Sequence, residues 1–188
     1  MKKIYFAYGA NTNQDHMAWR CPKAKMISPG HISNYKLKFN NVADIVPNNN
    51  YWKDVPCVIW EITKDCEKSL DKFESFPSLY SKVQVTGYKY CQGDDIEGFA
   101  YVMNYKGFHV PNPEYVRTIR NGLKGAWDTF YHGDIDRHID QAIIESFREC
   151  EKPSAIRQRV GGKLLGKSPD LHRSGFFSCC SANNCSYW

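Results

Sequence analysis

The chain has 188 residues, of which 42% are hydrophobic and 14% aromatic, enough for one compact domain with a short extension. Its net charge is +5, but basic and acidic residues are mixed over 1–150, without the basic helix typical of nucleic-acid-binding proteins. We therefore expect no nucleic-acid partner. The apolar run Ile4–Ala7 is too short for a signal peptide, and no stretch approaches the length of a membrane span. These features predict a cytoplasmic protein with reduced cysteines and no membrane contact.

The first predicted elements are a strand over 3–8 and a helix over 14–20, joined by a tight polar turn. Gly9 and Asn11 in this turn are residue types that tolerate left-handed or tightly turned backbone. A strand, a tight turn and a helix start leave several backbone N–H groups without partners, and such groups can bind an anion or an oxyanion. An ordinary strand-to-helix turn is the alternative for this segment alone.

The helix that begins after the predicted N-cap Thr63 and runs to about residue 75 contains a candidate catalytic carboxylate. Its buried stripe is predicted from the helical spacing of Cys66, Leu70 and Phe73. Glu74 lies at the margin of this stripe. A carboxylate that is desolvated by apolar neighbours has a raised pKa, which suits it to proton transfer near neutral pH. The alternative is a glutamate at a helix end with its carboxylate in water.

The rest of the chain indicates an α+β fold, in which a mixed sheet is flanked by helices. Strands are predicted over 24–29, 34–40, 56–62, 81–90 and 97–104, and further helices over 113–124 and 134–149. Residues 41–55, rich in Asn, Pro and aromatic residues, are predicted to form a long loop near the site. The apolar residues around Gly87 change from one face of their strand to the other, which indicates a β-bulge.

Four short segments carry recognisable motifs: Tyr5–Asn13, Arg20–Pro22, Leu70–Tyr80 and Pro111–Tyr115. Their order and spacing resemble the gamma-glutamylcyclotransferase family, whose superfamily includes the AIG2-like and gamma-glutamylamine cyclotransferase proteins. That family has a Tyr-Gly-Ser-Asn loop, an Arg-x-Pro turn, a Leu-Asp-x-x-Glu-Gly segment followed by Tyr, and a Pro-x-Tyr helix start. The resemblance covers about residues 3–148 and is closest to the glutathione-pathway branch over Tyr101–Tyr115.

This resemblance implies a small mixed β-barrel flanked by helices, with a pocket at one end, and Glu74 as the general acid and base. The substrate's alpha-amine attacks its own gamma-carbonyl and 5-oxoproline is released, which requires no metal and no cofactor. The substrate-binding residues that carry over are Tyr5, Phe6, Ala7, Tyr8, Gly9, Ala10, Asn11, Tyr80 and Tyr115. The implied partner is a small gamma-glutamyl compound. Because dimers occur in the family, the resemblance leaves a homodimer open.

Two residues depart from the family pattern. Ala10 replaces the Ser of the loop; because the family holds substrate largely through backbone N–H groups, the missing hydroxyl removes one hydrogen bond at most, worth about 1 kcal/mol. Ser75 replaces the Gly that commonly follows the catalytic Glu, which could alter how the helix ends and where Glu74 points. Arg20 is expected to pin the Arg-x-Pro turn, with binding of a substrate carboxylate as the alternative.

Composition predicts a boundary near residue 150 between a domain over 1–150 and a tail over 151–188. The tail has six Lys or Arg against two acids and no clean periodicity, so it is predicted to be flexible. Its cysteines lack the spacing of a zinc site. The cysteines expected to be small core residues are Cys57, Cys66 and Cys91.

Two other classes of function stay open. The same barrel could bind a small amide or peptide ligand without catalysis, since fold does not fix function and Ala10 and Ser75 lie where activity could be lost. Retention of Glu74 argues against this, because a buried carboxylate without a task is costly. The tail could instead recruit a partner protein through its basic and aromatic residues.

Overall fold

The computed structural model describes residues 2–48, 54–90, 93, 95–107 and 109–150. The strands are β1 (Lys3–Ala7), β2 (Lys25–Ile32), β3 (Tyr35–Asn40), β4 (Val42–Pro47), β5 (Val55–Ile62), β6 (Tyr80–Lys89) and β7 (Asp95–Met103). The α-helices are α1 (Gln14–Arg20), α2 (Lys64–Phe73), α3 (Pro113–Ala126) and α4 (His132–Cys150). Short 3₁₀ turns lie at Ala10–Thr12 and Thr129–Tyr131. The predicted tail and Cys91 fall outside the described residues.

Five strands close into a barrel in the order β1-β5-β2-β6-β7. β1 pairs antiparallel with β5 and parallel with β7, so the barrel is mixed, and the remaining neighbours are antiparallel. Phe6 fills the interior of this barrel and is fully buried. The prediction of an α+β fold built on a small mixed barrel with flanking helices is confirmed.

Local sequence explains where the helices begin. Thr63 caps α2 by accepting the Cys66 N–H, and Asn112 caps α3 by accepting the Glu114 N–H, with Pro113 in the first turn. The apolar face of α3, which includes Ile119 and Leu123, is buried. Burying each such side chain stabilises the fold by about 1.5–3 kcal/mol. Within the described residues, we find no helix both long and apolar enough to cross a bilayer.

The prediction of one long loop over 41–55 is wrong for its first half. Residues Val42–Pro47 form β4, which pairs with β3 from Asn40↔Val42 to Tyr35↔Pro47. Asn41 makes the tight turn between the two strands at a φ of 63°, a conformation that Asn tolerates. Asn41 and Pro47 therefore lie at the turn and at the end of a hairpin rather than in a continuous loop, and residues 49–53 of the predicted loop fall outside the described residues.

The predicted bulge at Gly87 is also wrong. The pairing of β6 with β7 runs without a shift from Tyr80↔Met103 to Tyr88↔Asp95, and the irregularity lies instead in β2, between Met26 and Ser28. Gly87 instead allows β6 to pack closely against β2 and against the Phe6 ring. A Cβ atom at this position would lie 2.3 Å from the backbone oxygen of His31 and 2.6 Å from Cε1 of Phe6.

The buried stripe predicted for α2 is correct for Cys66 and Leu70 and wrong for Phe73, which is 37% exposed. Phe73 lies at the end of the helix, where the Arg20 guanidinium covers its ring. An aromatic ring in this place is shielded by a cation rather than by the core.

Candidate active site

Glu74 directly follows α2, and a backbone hydrogen bond fixes its position at the end of the helix. It is the C-cap residue, and its N–H donates to the Leu70 carbonyl at 2.8 Å. The residue is half-buried, and Oε1 accepts a hydrogen bond from Nδ2 of Asn11 at 2.9 Å. Burial raises the pKa of the Glu74 carboxyl to about 7, although the charge of Arg20 and the Asn11 hydrogen bond act in the opposite direction. The group can therefore accept and return a proton near neutral pH.

Asn11 joins the first loop to this carboxylate. It is buried, and its Nδ2 donates both to Glu74 and to the phenolic oxygen of Tyr5 at 2.9 Å. Its Oδ1 accepts from the Arg20 guanidinium. Because the side-chain amide contacts three site groups, its orientation fixes the position of the loop relative to the end of α2.

Arg20 is the cation of the site. It lies 3.5 Å above the centre of the Phe73 ring, and its backbone oxygen accepts from Ser69 Oγ at 2.7 Å. These contacts hold the end of α1 against α2, as expected for a residue that pins the turn. Its Nε is buried, and no hydrogen-bond partner for it lies among the described residues. The guanidinium is close enough to act electrostatically on Glu74, so carboxylate binding stays the alternative role.

The 3₁₀ turn over Ala10–Thr12 satisfies part of its own backbone. The N–H groups of Thr12 and Asn13 donate to the carbonyls of Gly9 and Ala10 at 3.0 and 3.2 Å. These two groups are therefore not free for a ligand. In the preceding segment, Tyr8–Asn11, the Ala10 N–H is taken up by the Tyr115 hydroxyl, so the predicted anion-binding cradle is left to the N–H groups of Tyr8, Gly9 and Asn11.

Tyr115 of α3 packs against the Tyr8–Asn11 segment. Its hydroxyl oxygen accepts the Ala43 N–H at 3.1 Å and lies close to the Ala10 N–H. A Cβ atom on Gly9 would stand 3.2 Å from the same oxygen, so glycine lets the loop approach the phenol. Burial, and then the charge of Glu74, raises the pKa of Tyr80, which keeps this half-buried phenol neutral.

The predicted binding residues of β1 divide between two faces. Tyr5 and Ala7 share one face because side chains alternate along a strand, and Tyr5 reaches Asn11. Phe6 points to the other face, where it packs inside the barrel beside Gly87 and Gly98. The Tyr8 hydroxyl donates to the backbone oxygen of Tyr101. The structure thus brings Tyr5, Asn11 and Glu74 together and leaves the Phe6 side chain in the core.

Two residues without a role in the sequence prediction, Asp71 and Tyr101, anchor α2 to the barrel. The Tyr101 hydroxyl donates to Asp71 Oδ1 at 2.6 Å, and Lys82 Nζ lies 2.7 Å from the same oxygen. Asp71 stands three residues before Glu74, inside the Leu-Asp-x-x-Glu segment. The place of Asp71 in this motif could have indicated a role for it, whereas nothing in the sequence linked Tyr101 to Asp71.

An ion pair joins β4 to the segment that follows β7. Lys106 Nζ lies 2.7 Å from Oδ2 of Asp44, whose other oxygen accepts the Met103 N–H at 3.0 Å. Asp44 is buried in β4 and acts electrostatically on Tyr8 and Tyr80. This pair lies on the Tyr80 side of the site, so β4 and the segment after β7 border it there.

In the described part of the chain, no three His, Cys, Asp or Glu side chains cluster as a metal site requires. Two surface cavities, one between α3 and α4 and one beside α1, are lined by residues other than Glu74.

Comparison with known proteins supports the family and the fold. The model of the family described as "Gamma-glutamyl cyclotransferase, AIG2-like" matches residues 5–127. A comparison with curated proteins gave no match. A solved structure described as a gamma-glutamyl cyclotransferase is 21% identical, with a TM-score of 0.64, and the alignment covers 77% of this chain and 99% of that one.

Two further solved structures are similar. An uncharacterized protein from Homo sapiens is 23% identical, with a TM-score of 0.65, covering 76% of this chain and 98% of that one. YkqA from Bacillus subtilis is 17% identical, with a TM-score of 0.58, covering 74% of this chain and 54% of that one. At these identities the likeness shows a shared fold. The family match spans the barrel, α2 and α3, and the chain therefore belongs to the gamma-glutamyl cyclotransferase, AIG2-like family.

Proposed function

We propose that the protein is a gamma-glutamylcyclotransferase that converts a gamma-glutamyl amino acid or peptide to 5-oxoproline and a free amine. The observation that carries this proposal is the half-buried Glu74 carboxylate, with a pKa raised to about 7 by burial, fixed 2.9 Å from Asn11 Nδ2 beside the Tyr8–Asn11 loop. Family membership supports cyclotransferase chemistry in general, and the particular substrate and reaction belong to the proposal.

Glu74 first acts as the base. The loop Tyr8–Asn11 holds the substrate's alpha-carboxylate and alpha-amine, and Glu74 takes one proton from the alpha-ammonium. The freed amine attacks the gamma-carbonyl carbon, a C–N bond closes the five-membered ring, and the carbonyl electrons move onto oxygen. Backbone N–H groups of the loop stabilise this oxyanion.

Glu74 then acts as the acid. The amide bond to the leaving group breaks as the oxyanion collapses, and the carboxyl returns its proton to the departing nitrogen. The ring nitrogen, which carries two hydrogens after the attack, gives up one of them through the same carboxylate, so that the lactam keeps one N–H and the leaving group departs as an ammonium. A carboxyl whose pKa lies near 7 is suited to these steps at neutral pH. Since the nucleophile belongs to the substrate, the chain's main tasks are to fold the substrate into a ring-closing geometry and to move protons from the alpha-amine to the leaving nitrogen.

The test is release of 5-oxoproline from glutathione, gamma-glutamyl-alanine and gamma-glutamyl-lysine. We expect release from at least one compound, and a fall of about 10²-fold or more in Glu74→Gln, because an amide cannot accept the proton. The matched control is Glu97→Gln, which makes the same change at an exposed position of β7 and should keep wild-type rates.

The outcome that would contradict the proposal is a folded wild-type protein that releases nothing from any compound. Equal rates for Glu74→Gln and wild type would remove Glu74 from the mechanism. Binding of a gamma-glutamyl compound without turnover would favour the catalytically silent binding module.

A further inference from the structure

Two cysteines outside the proposed mechanism lie next to each other in the structure. Cys21 ends α1 as its C-cap residue, and Cys66 lies in the first turn of α2. The Cys21 sulfur lies 3.5 Å from the Cys66 backbone oxygen, and each thiol shifts the pKa of the other. Cys57, by contrast, is fully buried elsewhere in the barrel wall.

We propose that Cys21 and Cys66 form an intrachain disulfide when a small hydroperoxide oxidises the protein. Because the Cys21 sulfur already contacts the backbone of Cys66, we expect the bond to require rotation of the side chains rather than refolding. This inference does not depend on the cyclotransferase proposal.

The surroundings make the two thiols unequal. Burial acts to raise the pKa of the Cys66 thiol, but hydrogen bonds from Thr63 and Cys21 outweigh it and hold that pKa below its usual value. Burial and the neighbouring Cys66 raise the pKa of Cys21 to about 12. Cys66 is therefore the thiol that reaches the reactive thiolate form more readily, as thiols at helix N-termini do.

A small oxidant has a route to the pair. Both side chains are buried, but Cys21 lines a surface cavity together with Pro22, Met26 and Trp60. A molecule little larger than water can approach the Cys21 end of the pair through this opening, and Cys66, which does not line the cavity, is itself 4% exposed. Large oxidants such as another protein's disulfide are excluded by the same burial.

The reaction balances with hydrogen peroxide. The Cys66 sulfur attacks one peroxide oxygen and the O–O bond breaks. One water departs, and a sulfenic acid remains on the Cys66 sulfur. The Cys21 sulfur then attacks that sulfur, the S–O bond breaks, and a second water leaves as the S–S bond forms. Two sulfurs are oxidised and the two peroxide oxygens are reduced.

The disulfide would also link two elements that carry site residues. Cys21 directly follows Arg20, which contacts Asn11, and α2 leads directly into Glu74. The bond would therefore tie the Arg20 end of the site to the helix that presents the carboxylate.

The test is a peptide map of the full chain after treatment with hydrogen peroxide, alkylation and tryptic digestion without reductant. Trypsin cuts after Arg20, Lys23, Lys64 and Lys68, so the linked product joins Cys21–Lys23 to Asp65–Lys68. We expect this product to account for most of both peptides and to disappear on adding dithiothreitol. It should persist in a variant with the other six cysteines replaced by alanine, and in the single control Cys57→Ala.

The inference is overturned if both cysteines are recovered alkylated, or as separate sulfinic acids, while other cysteines of the chain are oxidised. In Cys21→Ala, Cys66 should instead be trapped as a sulfenic acid by dimedone, and failure to trap it would contradict the assigned order of attack. The map needs no turnover, so it decides this question even if 5-oxoproline release is absent.

Discussion

At the scale of single residues, the burial of Glu74, opposed by the charge of Arg20, decides the pH range in which the site can work. A carboxyl with a pKa of about 7 is protonated below that pH and cannot take the alpha-ammonium proton. We therefore expect the rate to fall as the pH decreases through about 7. Titratable substrate groups will shape the alkaline side of the profile, whereas the acid side reports Glu74.

Arg20 offers a direct way to move that acid limb. Its positive charge favours the ionised form of Glu74, so Arg20→Met should raise the pKa of Glu74 and shift the acid limb to higher pH. At pH 7 the rate should fall several-fold. The measurement is the pH profile of kcat/KM, with Arg117→Met, an exposed arginine of α3, as the control. A limb that stays in place, or moves to lower pH, would show that the Arg20 charge does not set this pKa.

Ser75 shows how a departure from the family pattern is accommodated. Its φ is 51°, in the left-handed region that favours glycine, so the chain follows the backbone path that a glycine would follow. Ser75→Gly should relieve this strain and change the free energy of unfolding by about 0–1 kcal/mol in the stabilising direction. Urea unfolding measures the change. Lys68→Gly, at an exposed position inside α2, is the opposite control and should destabilise by about 1 kcal/mol; a similar loss at Ser75 would refute the strain.

At the scale of elements, the site depends on how α2 is attached to the barrel. Tyr101 is the junction, because its hydroxyl binds Asp71 of α2 and its backbone oxygen accepts from Tyr8 of the loop. One side chain and one carbonyl of β7 therefore set the spacing between the carboxylate and the loop. The Asn11–Glu74 hydrogen bond completes the same connection directly.

Tyr101→Phe tests this attachment, since it keeps the ring and removes the hydroxyl. We expect kcat to fall several-fold with KM little changed, because α2 holds Glu74 less closely in the reactive geometry. Tyr88→Phe is the matched control. It removes another tyrosine–aspartate hydrogen bond, to Asp54, in a different part of the barrel. Equal effects of the two variants on kcat would indicate general destabilisation instead of positioning.

At the scale of the whole molecule, closure of the barrel brings the motifs together. β6 pairs with both β2 and β7, and Gly87 lies in both pairings. A Cβ at Gly87 would lie 2.3 Å from the His31 carbonyl oxygen and 2.6 Å from the Phe6 ring. Both the backbone of β2 and the core would therefore have to shift, which is energetically costly.

Gly87→Ala should therefore destabilise the fold severely, by about 3 kcal/mol or more, or prevent folding. Thermal and urea unfolding would measure the loss. Gly133→Ala is the control, because the added methyl meets nothing within 4 Å and alanine favours the helix, so stability should hold or rise by about 0.5–1 kcal/mol. A Gly87→Ala protein as stable as wild type would mean that the barrel can widen around Gly87.

The elements that the sequence predicted correctly are those governed by local contacts. The cap at Thr63, the proline-led start of α3 and the buried positions Cys66 and Leu70 depend on residues within four positions of each other. The errors arose where pairing or packing with another segment prevailed over composition. β4 is a strand because the adjacent β3 pairs with it across the turn at Asn41, and Phe73 stays at the surface because Arg20, distant in sequence, covers it.

The sequence by itself determined the order of the motifs, the residue types of the loop and the place of Glu74 at a helix end. Only the tertiary structure decided that Asn11 reaches Glu74 across 63 residues of chain, that Tyr101 joins Asp71 across 30, and that Phe6 turns into the core. The physical reason is that these contacts follow from strand register and barrel closure. A pattern along the chain shows which face a residue occupies, but not which distant residue it meets.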